Sequence, residues 1–97
     1  KSAINLIADK KIERSFFRMQ YLYALTWEND PYNVEKGVIV SKFNIYRRDR
    51  DSGQLWVKID SVDASVLAYA DKNVTAASYF EYYVTAVDNE GNESKIR

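Results

Sequence analysis

The chain is 97 residues long, enough for one domain with a workable core. Lysine plus arginine total 14 and aspartate plus glutamate total 14, so the net charge is zero. That excludes the cationic surplus on which nonspecific binding to nucleic acid or to an anionic membrane depends. There is no cysteine and no histidine. Disulfides, thiolate sites, Ser-His-Asp and Cys-His nucleophiles and ordinary zinc ligation are therefore excluded. No apolar run is long enough to span a bilayer. The chain starts at Lys1 without an initiator methionine or a signal-like segment, and is expected to be a piece of a longer protein.

Residues 4–8, Ile-Asn-Leu-Ile-Ala, read as a short first strand at a sheet edge, where the following Asp9-Lys10-Lys11 discourages pairing with other molecules. Residues 16–28 are the longest strand candidate. Phe17, Met19, Tyr21, Tyr23, Leu25 and Trp27 share one parity, and a bulge or break is expected near Arg18. Asn29-Asp30-Pro31 ends that strand, and residues 32–37 are expected to form a loop. Residues 38–47 form the next strand, with Val40 at its entry, Phe43 and Ile45 inward, and Asn44 and Tyr46 outward. Residues 48–53 are a charged hairpin turn. Residues 55–59 follow, with Leu55, Val57 and Ile59 inward and Trp56 and Lys58 outward. Residues 66–70 give a short strand with Leu67 and Tyr69 inward, and Val74 stands alone in the next connection.

Phe80, Tyr82, Val84 and Ala86 then fall on one face of a strand, with Glu81, Tyr83 and Thr85 on the other. Asp88-Asn89-Glu90-Gly91-Asn92 is a run of turn formers, and residues 93–97 are the expected last strand. No segment keeps a helical period. Seven strands at roughly ten-residue spacing, with turn signals between, form the pattern of an all-β, immunoglobulin-like antiparallel β-sandwich.

Four blocks add a resemblance. They are Leu25-Thr26-Trp27-Glu28 with Pro31, Phe43-Asn44-Ile45-Tyr46-Arg47, Tyr69-Ala70-Asp71 with Val74, and Val84-Thr85-Ala86-Val87-Asp88 running to Gly91-Asn92-Glu93-Ser94. In that order they resemble a fibronectin type III domain over nearly all of residues 1–97, of the kind attached to bacterial secreted and cell-surface proteins. The resemblance implies strands A, B and E in one sheet and C, C′, F and G in the other. It implies a core of Leu25, Trp27, Phe43, Ile45, Tyr69, Val74, Phe80, Tyr82 and Val84. The family's tyrosine-corner position falls on Phe80, which loses the hydroxyl's bond. Alternatively a one-residue shift with a bulge places Tyr79 there.

Chemistry in the sequence is sparse. Asp60, Asp63, Asp71 and Asp88 all stand at strand ends, where aspartate forms turns, and no catalytic set emerges. Asp49-Arg50-Asp51-Ser52-Gly53 only partly follows a calcium loop: the glycine is one place early and no glutamate closes it. Neither cofactor nor metal is expected. An Arg-Gly-Asp tripeptide is absent. Asn73-Val74-Thr75 and Asn92-Glu93-Ser94 fit the glycosylation sequon, a pattern common by chance.

One feature points to contact. Tyr46, Trp56 and Tyr83 fall on the outward parity of one sheet and form a candidate apolar ledge. Such a ledge suits a sugar ring or a neighbouring domain; equally, the three serve as cross-strand pairs that stabilise the sheet. The expectation is a non-catalytic spacer or interaction module of a secreted, cell-surface or periplasmic multidomain protein. Its partners are neighbouring domains, a carbohydrate or another protein, with no nucleic acid and no membrane insertion.

Overall fold

The computed structural model describes every residue except Ser15, Phe17, Ser52, Gln54, Ile96 and Arg97. The described elements are β1 (Ile4–Arg14), β2 (Met19–Glu28), α1 (Pro31–Glu35), β3 (Val40–Asp49), β4 (Val57–Asp63), β5 (Ala68–Asp71) and β6 (Phe80–Asp88). They build two antiparallel three-stranded sheets, β1-β2-β5 and β4-β3-β6, consistent with a β-sandwich.

Period-two patterning decides what lies between the layers. Tyr23, Leu25 and Trp27 of β2 meet Phe43 and Ile45 of β3 and Tyr82, Val84 and Ala86 of β6 in one buried cluster. Leu25, Phe43 and Ile45 are at most 1% exposed. Trp27 packs edge-on against Phe43, ring centroids 5.9 Å apart. Its indole Nε1 is buried and meets no protein acceptor among the described residues. Tyr69, Val74 and Phe80 are partly buried against the same cluster. Phe80 contacts the rings of Tyr23 and Tyr82, while Tyr79 is exposed beneath the Arg50 guanidinium. The β3–β6 register is continuous from Phe80 to Val87, so Phe80 needs no bulge to face inward.

A charged tie links the sheets. Asp71, at the end of β5, is 3% exposed. Its Oδ2 accepts from Arg47 Nη1 of β3 at 2.8 Å and from the Tyr82 hydroxyl of β6 at 2.7 Å. Burial, and then the Asp71 carboxylate, push the Tyr82 hydroxyl pKa far up. The Arg47 guanidinium also lies 4.3 Å from the Phe80 ring centroid.

Five expectations need correction. First, β1 runs on to Arg14 instead of ending at Ala8. Its charged residues are exposed on a solvated edge strand, so they do not interrupt the ladder with β2. The break before β2 falls at Arg18, and Phe17 lies outside the described residues. Second, residues 31–35 are helical, not loop. Asp30 caps the turn by accepting from Tyr32 N at 3.0 Å, and Pro31 occupies the first helical position. Five residues are too few to leave a helical period. Asn33 of α1 is fully buried and donates to Lys1 O and Asn29 Oδ1.

Third, Leu55 and Val57 are exposed, not inward. Leu55 precedes β4, and Val57, though paired with inward-facing Arg47, stands at the first position of the edge strand β4. A register shift at Ile45/Tyr46 then sets two residues of β4 against one of β3, and Ile59 and Val62 are the β4 side chains packed against the core. Fourth, Leu67 is 42% exposed, because β5 begins only at Ala68. Fifth, the seventh strand is reduced among the described residues to a bridge between Val87 and Glu93, with Ser94 N donating to Ala86 O at 2.9 Å. Ile96 and Arg97 lie outside the described residues.

Candidate functional site

The outward face of the β4-β3-β6 sheet is where the ledge residues come to lie. Pairing sets Tyr46 of β3 directly opposite Tyr83 of β6. Trp56, just before β4, reaches across β3 and meets Tyr83 edge-on, centroids 6.0 Å apart and planes at 63°. The Arg48 guanidinium covers the Trp56 ring at 4.3 Å and pairs with the Glu81 carboxylate. All three aromatics are half-buried. Trp56 and Tyr83 are thus brought into contact, but as a tilted pair under an arginine, not as a flat platform. A sugar ring stacks best on an open aromatic face, and here one face of the indole is already occupied.

Tyr46 is engaged differently. Its hydroxyl donates to Glu93 Oε2 at 2.6 Å. The same oxygen accepts from Thr85 Oγ1 at 2.5 Å and from Asn44 Nδ2 at 3.0 Å, and Ser61 Oγ donates to Asn44 Oδ1 at 2.7 Å. Burial alone would raise the Glu93 carboxyl, but the donors Thr85, Tyr46 and Asn44, aided by Lys58, outweigh it and hold its pKa below the ordinary value. The Tyr46 hydroxyl moves up instead, through burial and then through the bond and charge of Glu93. Asn44 and Thr85 are on outward parity yet only 4% and 1% exposed.

Glu93 and its donors were not legible as a site. The signal was there in part, as Asn44 with Tyr46 and Tyr83 with Thr85 alternate outward. However, the carboxylate that joins them comes from a separate segment of the chain.

The strand-end carboxylates are committed locally. Asp63 accepts from Ser65 N and Oγ, and Asp88 from the backbone of Asn92 and Glu90 and from the Asn92 side chain; both carboxyls are held below their usual range by these donors. Asp60 accepts from Ser61 N at 2.7 Å. The Tyr69 hydroxyl is pushed up to about 12, by burial first and by Asp60 second. Asp49 accepts from Asp51 N at 3.0 Å within its own turn. Among the described residues no three acidic side chains converge as a cation site would require. A recess of about 610 Å³ lies beside Tyr83, between residues 1–4 and residues 94–95. Its carboxylate, Asp30, is the cap of α1. No helix among the described residues is long and apolar enough to cross a membrane.

Comparison with known proteins gives one informative likeness. The chain is similar to an amylopullulanase of Thermoanaerobacter thermohydrosulfuricus, 43% identical over 63 residues. The matched stretch covers 65% of this chain and 4% of that protein. No family profile matches the chain, and no solved structure matches it.

Proposed function

We propose that the chain is a fibronectin type III module, a non-catalytic spacer or interaction domain of a larger secreted or cell-surface protein. The observation that carries this is the scale of the match: a 43%-identical stretch that amounts to 4% of a much longer enzyme chain. The sheet order supports the family reading. With β1, β2 and β5 as strands A, B and E, and β4, β3 and β6 as C′, C and F, the Val87–Glu93 bridge stands where strand G would pair. The side chains support the non-catalytic reading. Asp60, Asp63, Asp71 and Asp88 each hold a turn or a structural tie, and the outward aromatics hold one another.

The test is direct. The purified chain is incubated with starch and pullulan and assayed for new reducing ends. The expected result is none above buffer; sustained release at constant protein concentration would overturn the assignment.

A second reading is favoured by the name of the similar protein, an amylopullulanase. In it, Tyr46, Trp56 and Tyr83 bind a glucan. NMR titration with starch- and pullulan-derived oligosaccharides, following the indole N–H signals, separates the two. Saturable shifts at Trp56 with Trp27 silent support glucan binding. Silence at both supports the spacer.

A further inference from the structure

The zero net charge conceals a segregation. One end of the sandwich is formed by the β1–β2, β3–β4 and β5–β6 connections, the other by β2–α1–β3, β4–β5 and the turn after β6. At the first end Lys10, Lys11, Arg14, Arg18, Arg50 and Lys72 stand against Asp9, Glu13, Asp49 and Asp51. Arg47 with Asp71, Arg48 with Glu81, and Lys72 with Glu13 at 3.7 Å neutralise each other there. At the second end Glu28, Asp30, Glu35, Asp63, Asp88, Glu90 and Glu93 stand against Lys1, Lys36, Lys42 and Lys95. Both ends also expose apolar side chains. The cationic end shows Phe16 at 92%, Met19 at 54% and Leu55 at 84%; the anionic end shows Val34 at 73% and Ile39 at 63%.

We propose that these ends are complementary docking surfaces, the cationic end of one copy receiving the anionic end of a second copy, head to tail. Buried apolar area supplies the attraction, and charge sets the polarity. Like ends repel, so a two-fold dimer through either end is disfavoured. Zero net charge removes the long-range repulsion that would oppose stacking at all. A contact between two different surfaces does not close on itself, so copies add in one direction into short stacks. The exposed charges keep each contact weak and salt-sensitive. The inference rests on the distribution of charge and exposed apolar groups and is independent of the family reading.

Sedimentation velocity on the purified chain, from micromolar to millimolar protein and at low and high salt, tests it. The expected result is a sedimentation coefficient that climbs without a plateau at two copies, with association severalfold weaker at high salt. Two double variants sharpen it: Arg14→Glu with Arg50→Glu, and Glu35→Lys with Glu90→Lys. All four positions are exposed, so both variants should fold with an unchanged melt. Each alone should lose self-association, because its two ends now carry one sign. Mixed in equal amounts they should regain it, the unaltered anionic end of one meeting the unaltered cationic end of the other. A chain that stays monomeric at millimolar concentration would overturn the proposal and leave the ends to neighbouring domains. So would a closed dimer, or a mixture that does not associate.

Discussion

The β1–β2 hairpin is two structures in one ladder. In its near half, Tyr23, Leu25 and Trp27 are sealed beneath the second sheet. In its far half Ile12, Met19 and Tyr21 continue the same inward parity, yet Ile12 and Met19 are exposed. β5 pairs with β2 only from Tyr23 to Thr26, and the β3–β6 ladder ends at Phe80. The ribbon therefore outruns the layer that would cover it. Alternation names a face; burial requires something opposite that face.

This contrast is sharpest at its extremes. Trp27→Ala should cost about 3–5 kcal/mol, against a typical domain stability of about 5–15 kcal/mol, and leave the domain marginal or unfolded. An unchanged cooperative melt would refute its placement between the layers. Next comes the tie at the edge of the covered region. Asp71→Ala strands Arg47 and the Tyr82 hydroxyl, and should cost about 3 kcal/mol; replacing Arg47 and Asp71 together with apolar residues should cost clearly less in urea melts.

Glu93→Gln should have a smaller effect, and one that depends on pH. The native carboxyl sits below its ordinary value of 4.5, so its contribution is present above that pH and is lost as the pH falls through the lower native value. Asp63 and Asp88 move in the same direction and deepen the acid loss. The variant should therefore lose less stability on acidification than the parent chain; equal loss would remove Glu93 from the account. Smallest of all, Met19→Ala in the uncovered half should shift stability by no more than about 0.5 kcal/mol. A cost approaching that of Trp27→Ala would mean that the far ribbon is covered after all.

Much of the interior was legible because local period two coincides with the layered packing. Phe43, Ile45, Tyr82 and Val84 need only their own strand's alternation to be placed. Apart from α1, the misreadings were decided by something outside the segment. Leu55 and Val57 are exposed because one precedes β4 and the other opens it on the sheet edge, whereas the two-against-one pairing at Ile59 brings Val62 inward, and a bulge leaves no mark in alternation until its partner is known. α1 was hidden because its signals, Asp30 and Pro31, serve a turn as well as a helix start. Tyr46, Trp56 and Tyr83 were placed on one face by parity. Their chemistry was not legible, since Arg48 and Glu93 determine which surfaces stay open.

The unmatched indole N–H of Trp27 has a spectroscopic consequence. The two tryptophans occupy opposite environments: one ring lies in the buried core with no hydrogen-bond acceptor for its N–H among the described residues, the other lies half-buried beneath a guanidinium. Their emission should separate, Trp27 to the blue and Trp56 to the red, so one spectrum reports interior packing and outer surface at once. Unfolding should collapse both bands into one, whereas a ligand seated on the outer sheet should move only the red one.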